Sequence, residues 1–139
     1  MAQSIREVMT ADPRTVEAGG TVADAAREMR DGDVGAILIM DGNDLGGIIT
    51  DRDIVVRAIA DGRDPGSTLV GDIDTGGLIT IDVNQSAHDA AQLMRENDVR
   101  RLAVTEGNRP VGIISIGDLA VELDSGSALA DISAASPNN

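Results

Sequence analysis

The chain repeats itself. Displaced by 65 residues, Thr21-Val-Ala-Asp-Ala-Ala-Arg-Glu-Met-Arg lies on Ser86-Ala-His-Asp-Ala-Ala-Gln-Leu-Met-Arg, and Asp33-Val34 on Asp98-Val99. Gly42-Asn43 then meets Gly107-Asn108, and Gly47-Ile-Ile-Thr-Asp-Arg-Asp53 meets Gly112-Ile-Ile-Ser-Ile-Gly-Asp118. The alignment yields about 16 identities over roughly 54 positions without a gap. A solenoid needs at least about three units to bury a continuous core. Two copies in 139 residues therefore predict one pair of small units packed about a pseudo-twofold axis.

Each copy has the same expected order of elements. An extended segment (Arg14–Glu17; Ile79–Asp82) precedes a helix opened by Thr21 or Ser86. That helix carries Val22, Ala25, Ala26 and Met29, or Ala87, Ala90, Ala91 and Met94, at the i, i+3, i+4, i+7 spacing of one buried face. A buried strand (Ala36–Met40; Leu102–Thr105), a tight turn (Asp41-Gly-Asn-Asp; Glu106-Gly-Asn-Arg) and a second strand (Leu45–Ile49; Pro110–Ile114) follow. A second helix (Thr50–Asp61; Ser115–Asp124) closes the unit, with Gly62 and Gly126 where C-terminal caps belong. The expected class is α/β in the broad sense (α+β), made of two β-α-β-β-α repeats. The boundaries expected are 4–62 for the first domain, 63–68 for a linker, 69–124 for the second domain and 125–139 for a flexible tail. Leu69-Val-Gly-Asp-Ile in the second copy matches the lead-in Ile5-Arg-Glu-Val-Met of the first.

Composition removes several function classes. The formal charge is −13, all eleven cations are arginines, and there is no Phe, Tyr or Trp. Such a chain lacks both the cationic surface and the stacking platforms of a nucleic-acid binder. Zero cysteine excludes disulfides, Fe–S clusters and thiol catalysis. The longest apolar runs, Ala36–Met40 and Leu45–Ile49, fall far short of a membrane span. Without a signal-peptide core near Met1, the expected location is the cytoplasm. A core of Ile, Val, Leu, Ala and Met buries little area per side chain, which predicts burial against a second copy of the chain. The apolar residues expected at that contact are Ile54, Val55, Ala58, Ile59, Leu119 and Leu123.

The clearest short pattern is Gly-x-x-Thr/Ser-x-x-Asp, as Gly47…Thr50…Asp53 and Gly112…Ser115…Asp118. At a strand-to-helix junction the glycine admits close approach to the backbone, and the hydroxyl can bond a phosphate or ribose oxygen near the helix N-terminus. The aspartate, one turn later, can accept from a ribose diol. The same spacing is also a capping box, and Thr21…Asp24 and Ser86…Asp89 repeat it at the other helix starts. Arg100-Arg101, ahead of the strand Leu102-Ala-Val, can be solvated or can hold a phosphate; copy one has Gly35-Ala36 there. Arg52 can pair locally or reach a phosphate. His88 stands alone, with no second histidine and no cysteine to complete a metal site or a triad. Met29 and Met94 are expected core filler.

These residues resemble the CBS-domain family, whose tandem repeats pair into Bateman modules. The resemblance covers about Ser4 to Leu123. It rests on Gly47-Ile-Ile-Thr-Asp-Arg-Asp-Ile-Val, Val99-Arg-Arg-Leu-Ala-Val and Gly112-Ile-Ile-Ser-Ile-Gly-Asp-Leu-Ala. The chain is similar to short stand-alone two-CBS proteins of the hypoxic-response type. The resemblance implies an adenosine-containing ligand bound in clefts between paired domains, with AMP, ADP and ATP ahead of NAD and S-adenosylmethionine. It implies that Asp53 and Asp118 hold ribose hydroxyls and that Thr50 and Ser115 bond ribose or phosphate. Thr15, Val16, Thr80 and Ile81 would line the adenine pocket, and Arg100 and Arg101 would meet phosphates. A proline common in the family's second strand is replaced by Leu38 and Ala103.

Two readings follow. In one, the chain is a non-catalytic regulatory homodimer that binds an adenine nucleotide and acts on a regulated protein, with no required cofactor, no metal and no membrane or nucleic-acid partner. In the other, it is a structural homodimer whose clefts are degenerate and whose Thr/Ser-x-x-Asp pairs only cap helices.

Overall fold

The computed structural model describes residues 4–73 and 78–123. Among them, residues 14–73 and 78 form one compact unit and residues 4–13 and 79–123 another. The architecture is mixed α/β, with one sheet in each unit.

In the unit of the first copy, β2 (Thr15–Glu17) runs parallel to β3 (Ala36–Asp41), and β3 is antiparallel to β4 (Asp44–Thr50). A parallel neighbour needs a crossover, and helix α2 (Val22–Gly32) supplies it. Val22, Ala25 and Met29 bury the inner face of α2 on Val16, Ile37, Ile39 and Ile49. Ala26, expected on that face, is exposed, so the buried stripe is narrower than its spacing suggested. Thr21 caps α2 reciprocally with Asp24, and Asp33 ends it in the left-handed region at φ 54°. The hairpin turns on Gly42, whose φ of +65° suits the first central position of a two-residue turn.

The second copy repeats this plan. β5 (Thr80–Asp82) is parallel to β6 (Arg101–Glu106), β6 is antiparallel to β7 (Arg109–Ser115), and α4 (Ala87–Asn97) makes the crossover. α5 (Ile116–Leu123) follows β7 directly. Met94 is buried here as Met29 is in the first copy, so both methionines fill core.

Four further features depart from the sequence reading. The helix expected over Thr50–Asp61 is a short α3 (Asp51–Asp53) that widens into a π-helix over Ile54–Ile59. The run Ile54-Val-Val puts three β-branched side chains in a row, which crowd an α-helical turn; Leu119-Ala120-Val121 in α5 does not, and α5 stays α-helical. Val70 rather than Leu69 takes the place of Ile5: both are fully buried at the start of a short helical turn, whereas Leu69 is exposed. The two lead-ins also exchange copies. α1 (Ile5–Val8) buries Ile5 in the core of the second copy, while Val70 and Ile73 join the core of the first. Finally, β1 (Thr10–Ala11) adds an unforeseen antiparallel edge to β7, with Thr10 opposite Ile113. A Cβ on Gly112 would collide with Met9 and lie 2.9 Å from the Thr10 carbonyl, so only glycine fits that close approach. Gly62 has the expected positive φ, +74°. The tail 125–139, Gly126 and the Leu123 side chain lie outside the described residues. No helix among them is long and apolar enough to cross a membrane.

Candidate functional site

Both Thr/Ser-x-x-Asp patterns sit at strand-to-helix junctions and both form reciprocal caps. The Thr50 amide donates to Asp53 Oδ2 at 2.9 Å, and the Asp53 amide to Thr50 Oγ1 at 3.1 Å. The Ser115 amide donates to Asp118 Oδ2 at 2.9 Å, and the Asp118 amide to Ser115 Oγ at 3.2 Å. Each box uses Oδ2 of its aspartate and leaves Oδ1 outside it. Asp53 is the one buried charged residue among those described, 5% exposed, whereas Asp118 is half-buried. The boxes at Thr21–Asp24 and Ser86–Asp89 have the same geometry.

The remaining candidates gather by copy. In the first, Thr15 and Val16 pair with Leu38 and Ile39 on β3, and Thr50 closes the other edge opposite Ala36. Thr15 is exposed and Val16 is buried in the core, so of the two Val16 is a packing residue first. Arg52 is exposed; its amide donates to Asp51 Oδ1 at 2.8 Å, and its guanidinium forms no ion pair among the described residues. In the second, Thr80 and Ile81 pair with Ala103 and Val104, with Thr80 exposed and Ile81 in the core. Arg101 stands directly opposite Ser115, and the Ile116 amide donates to the Arg100 carbonyl at 2.8 Å. Arg101, Ser115 and Asp118 thus meet at one junction, while Arg100 joins it through its backbone carbonyl and lines the groove between α4 and α5.

The two junctions differ in charge. Asp51 takes the place of Ile116, and its amide donates to the Gly35 carbonyl at 2.9 Å. A Cβ on Gly35 would sit 3.1 Å from Asp51 Oδ2, so a carboxylate occupies the region where the second copy has Arg100. The first junction is acidic and the second basic.

Beside the second junction lies a groove of about 450 Å³ between α4 and α5 that the sequence did not reveal. Its lining includes Met94, Val99, Arg100, Ile116, Leu119 and Ala120. The small side chains of Ala91 and Ala120 leave it room. No cluster of three or more His, Asp or Glu residues among the described ones is placed to hold a metal. His88 is exposed. Among the described residues, the carboxyls held below their ordinary values lie elsewhere: Asp24 through the Thr21 amide and then Arg27, and Glu106 through Arg6 and then Arg109.

Comparison with known proteins agrees with the repeat. The family model described as "CBS domain" matches residues 5–59 and 70–125. The CBS domain-containing protein YhcV of Bacillus subtilis is 41% identical over 134 residues, covering 94% of this chain and 95% of that protein. The crystal structure of Hypoxic Response Protein I with two coordinated zinc ions superimposes with a TM-score of 0.72 at 35% identity, covering 85% of this chain and 97% of that one. A hexameric CBS-CP12 protein from bloom-forming cyanobacteria gives a TM-score of 0.78 at 28% identity, over 86% of this chain and 67% of that one. With two tandem repeats, the matching fold and these relatives, the chain belongs to the CBS-domain family.

Proposed function

We propose that this chain is a non-catalytic regulatory module that binds an adenine nucleotide and transmits its occupancy to a regulated protein. The observation that carries the reading is the pairing of Arg101 with Ser115 beside the Ser115–Asp118 box. A hydroxyl and a carboxylate suit a ribose, and a guanidinium suits a phosphate in fork geometry. AMP, ADP and ATP are the ligands proposed first, with NAD and S-adenosylmethionine behind them because the basic junction favours an exposed anionic phosphate. The site residues proposed are Arg100, Arg101, Ser115, Asp118, Thr80 and Ile81 in the second copy. In the first they are Thr15, Val16, Thr50, Arg52 and Asp53. The module acts as a homodimer; a hexameric relative within the family supports self-association.

A second reading has its own observation. The boxes at Thr21 and Ser86 form the same bonds, as does any helix cap of this kind. In that reading the chain is a structural homodimer that binds no nucleotide. A thermal-shift panel of AMP, ADP, ATP, NAD and S-adenosylmethionine separates the two. A ligand at 100 times its Kd adds about 2.7 kcal/mol, which raises the melting temperature by several degrees. No shift with any of the five favours the structural dimer.

A further inference from the structure

We propose that Met9 is an oxidation site: a peroxide converts its thioether to the sulfoxide, and the sulfoxide displaces β1 from the edge of β7. Composition narrows the chemistry first. The chain has no cysteine, tryptophan or tyrosine, so its five methionines are the side chains that a peroxide oxidises readily. Met29 and Met94 are buried in the two cores, 8% and 5% exposed. Met9 and Met40 are half-buried and can be reached from solvent, and Met1 lies outside the described residues. At the place of Met40 the second copy has Thr105, so a polar oxygen is accommodated there.

Met9 is held differently. It closes α1, its amide donating to the Ile5 carbonyl at 2.9 Å, and its side chain packs on the core of the second copy. Its Sδ and Cγ fill the place that a Cβ on Gly112 would take, and the Thr10 carbonyl lies 2.9 Å from the same point. A thioether fits because it is slim, flexible and apolar. Oxidation forms an S–O bond from a sulfur lone pair and breaks the O–O bond of hydrogen peroxide, whose other oxygen leaves with both protons as water. The sulfur is oxidised by two electrons and the peroxide is reduced by two. The product is larger and polar, in a contact that has no room for one further carbon. The strand beside it is the shortest in its sheet. β1 is two exposed residues, with Thr10 opposite Ile113 and Ala11 opposite Gly112. Ile5, fully buried, keeps α1 anchored, so the displacement is confined to the strand that follows. Methionine sulfoxide is reduced enzymatically, which makes the change reversible.

Hydrogen peroxide added to the whole chain tests this. Eleven arginines and no lysine place these methionines in separate tryptic peptides: Met9 in 7–14, Met29 in 28–30, Met40 in 31–52 and Met94 in 64–95. Peptides 7–14 and 31–52 are expected to gain oxygen before 28–30 and 64–95. Hydrogen exchange along the β1–β7 edge should then become about tenfold faster, with the β5–β6 pairing unchanged, and methionine sulfoxide reductases should restore it. Met9→Leu should keep the edge protected under the same treatment, and Met40→Leu should respond as the unsubstituted chain does. Oxidation of Met9 no faster than that of Met29, or oxidised Met9 with unchanged exchange at the edge, overturns the proposal. A response that persists in Met9→Leu, or one that is lost in Met40→Leu, overturns it as well. The Met40→Leu result decides alone if Met9→Leu loosens the edge before peroxide is added.

Discussion

Arg101 lies directly across the β6–β7 ladder from Ser115, and Ser115 is locked to Asp118 by two hydrogen bonds of 2.9 and 3.2 Å. Paired residues in neighbouring strands project to the same side of the sheet. A cationic, a hydroxyl and a carboxylate side chain therefore converge at one junction. The equivalent position to Arg101 in the first copy is Ala36, opposite Thr50.

From this asymmetry, Arg101→Ala is expected to weaken nucleotide binding at least tenfold, about 1.4 kcal/mol or more. Asp118→Ala should weaken it comparably and should also weaken adenosine, because its loss is at the ribose. Asp53→Ala should leave the stronger site nearly untouched. Calorimetry on the three variants checks this; equal losses from Asp53→Ala and Asp118→Ala would contradict it.

Asp53→Ala should instead show itself in stability. Losing the reciprocal cap costs about 0.5–2 kcal/mol. Ser86→Ala removes a cap of the same geometry at the start of α4 and should cost about 1 kcal/mol while leaving nucleotide affinity unchanged. Urea denaturation measures both; a neutral Ser86→Ala would mean that the box contributes nothing.

Gly112→Ala should loosen the lead-in, since its Cβ collides with Met9 and crowds the Thr10 carbonyl. Overpacking at such a contact costs about 1–3 kcal/mol. Hydrogen exchange at the β1–β7 edge should accelerate while the β5–β6 pairing stays protected. Unchanged exchange along β1 would show that the edge yields without cost.

Glu106 contributes a pH dependence of known sign. Arg6 first, and Arg109 after it, hold its carboxyl below the ordinary value of 4.5. Its folded pKa is depressed, so its contribution is present above pH 4.5 and is lost as pH falls through the lower folded value. Both partners are exposed, so the effect is small and screened by salt. Glu106→Gln should flatten the acid limb of a stability–pH curve at low ionic strength; an identical limb would contradict the assignment.

The repeat made the core legible because burial imposes the same pattern on both copies. Val22, Ala25 and Met29 recur as Ala87, Ala90 and Met94, all buried. What the residues could not reveal was long-range exchange. Ile5 precedes the first copy yet packs with the second, and nothing local distinguishes the two cores available to one isoleucine. β1 has no signature in the sequence, because two exposed residues, Thr10 and Ala11, carry no period. The π-helix is marked in the sequence only by the β-branched run Ile54-Val-Val. At the junctions the residue types were legible, but the spacing alone left cap and ligand contact equivalent. The caps are formed, and the charge difference between Asp51 and Arg100 distinguishes the two junctions.

The most direct test of the central claim is a titration of the unmodified chain with ATP and with adenosine, followed by calorimetry at two salt concentrations. The account predicts one strong site per chain, tighter for ATP than for adenosine, with the preference shrinking as salt rises. Heat-silent titration of both ligands up to millimolar concentration, or ATP bound no more tightly than adenosine at low salt, would contradict it.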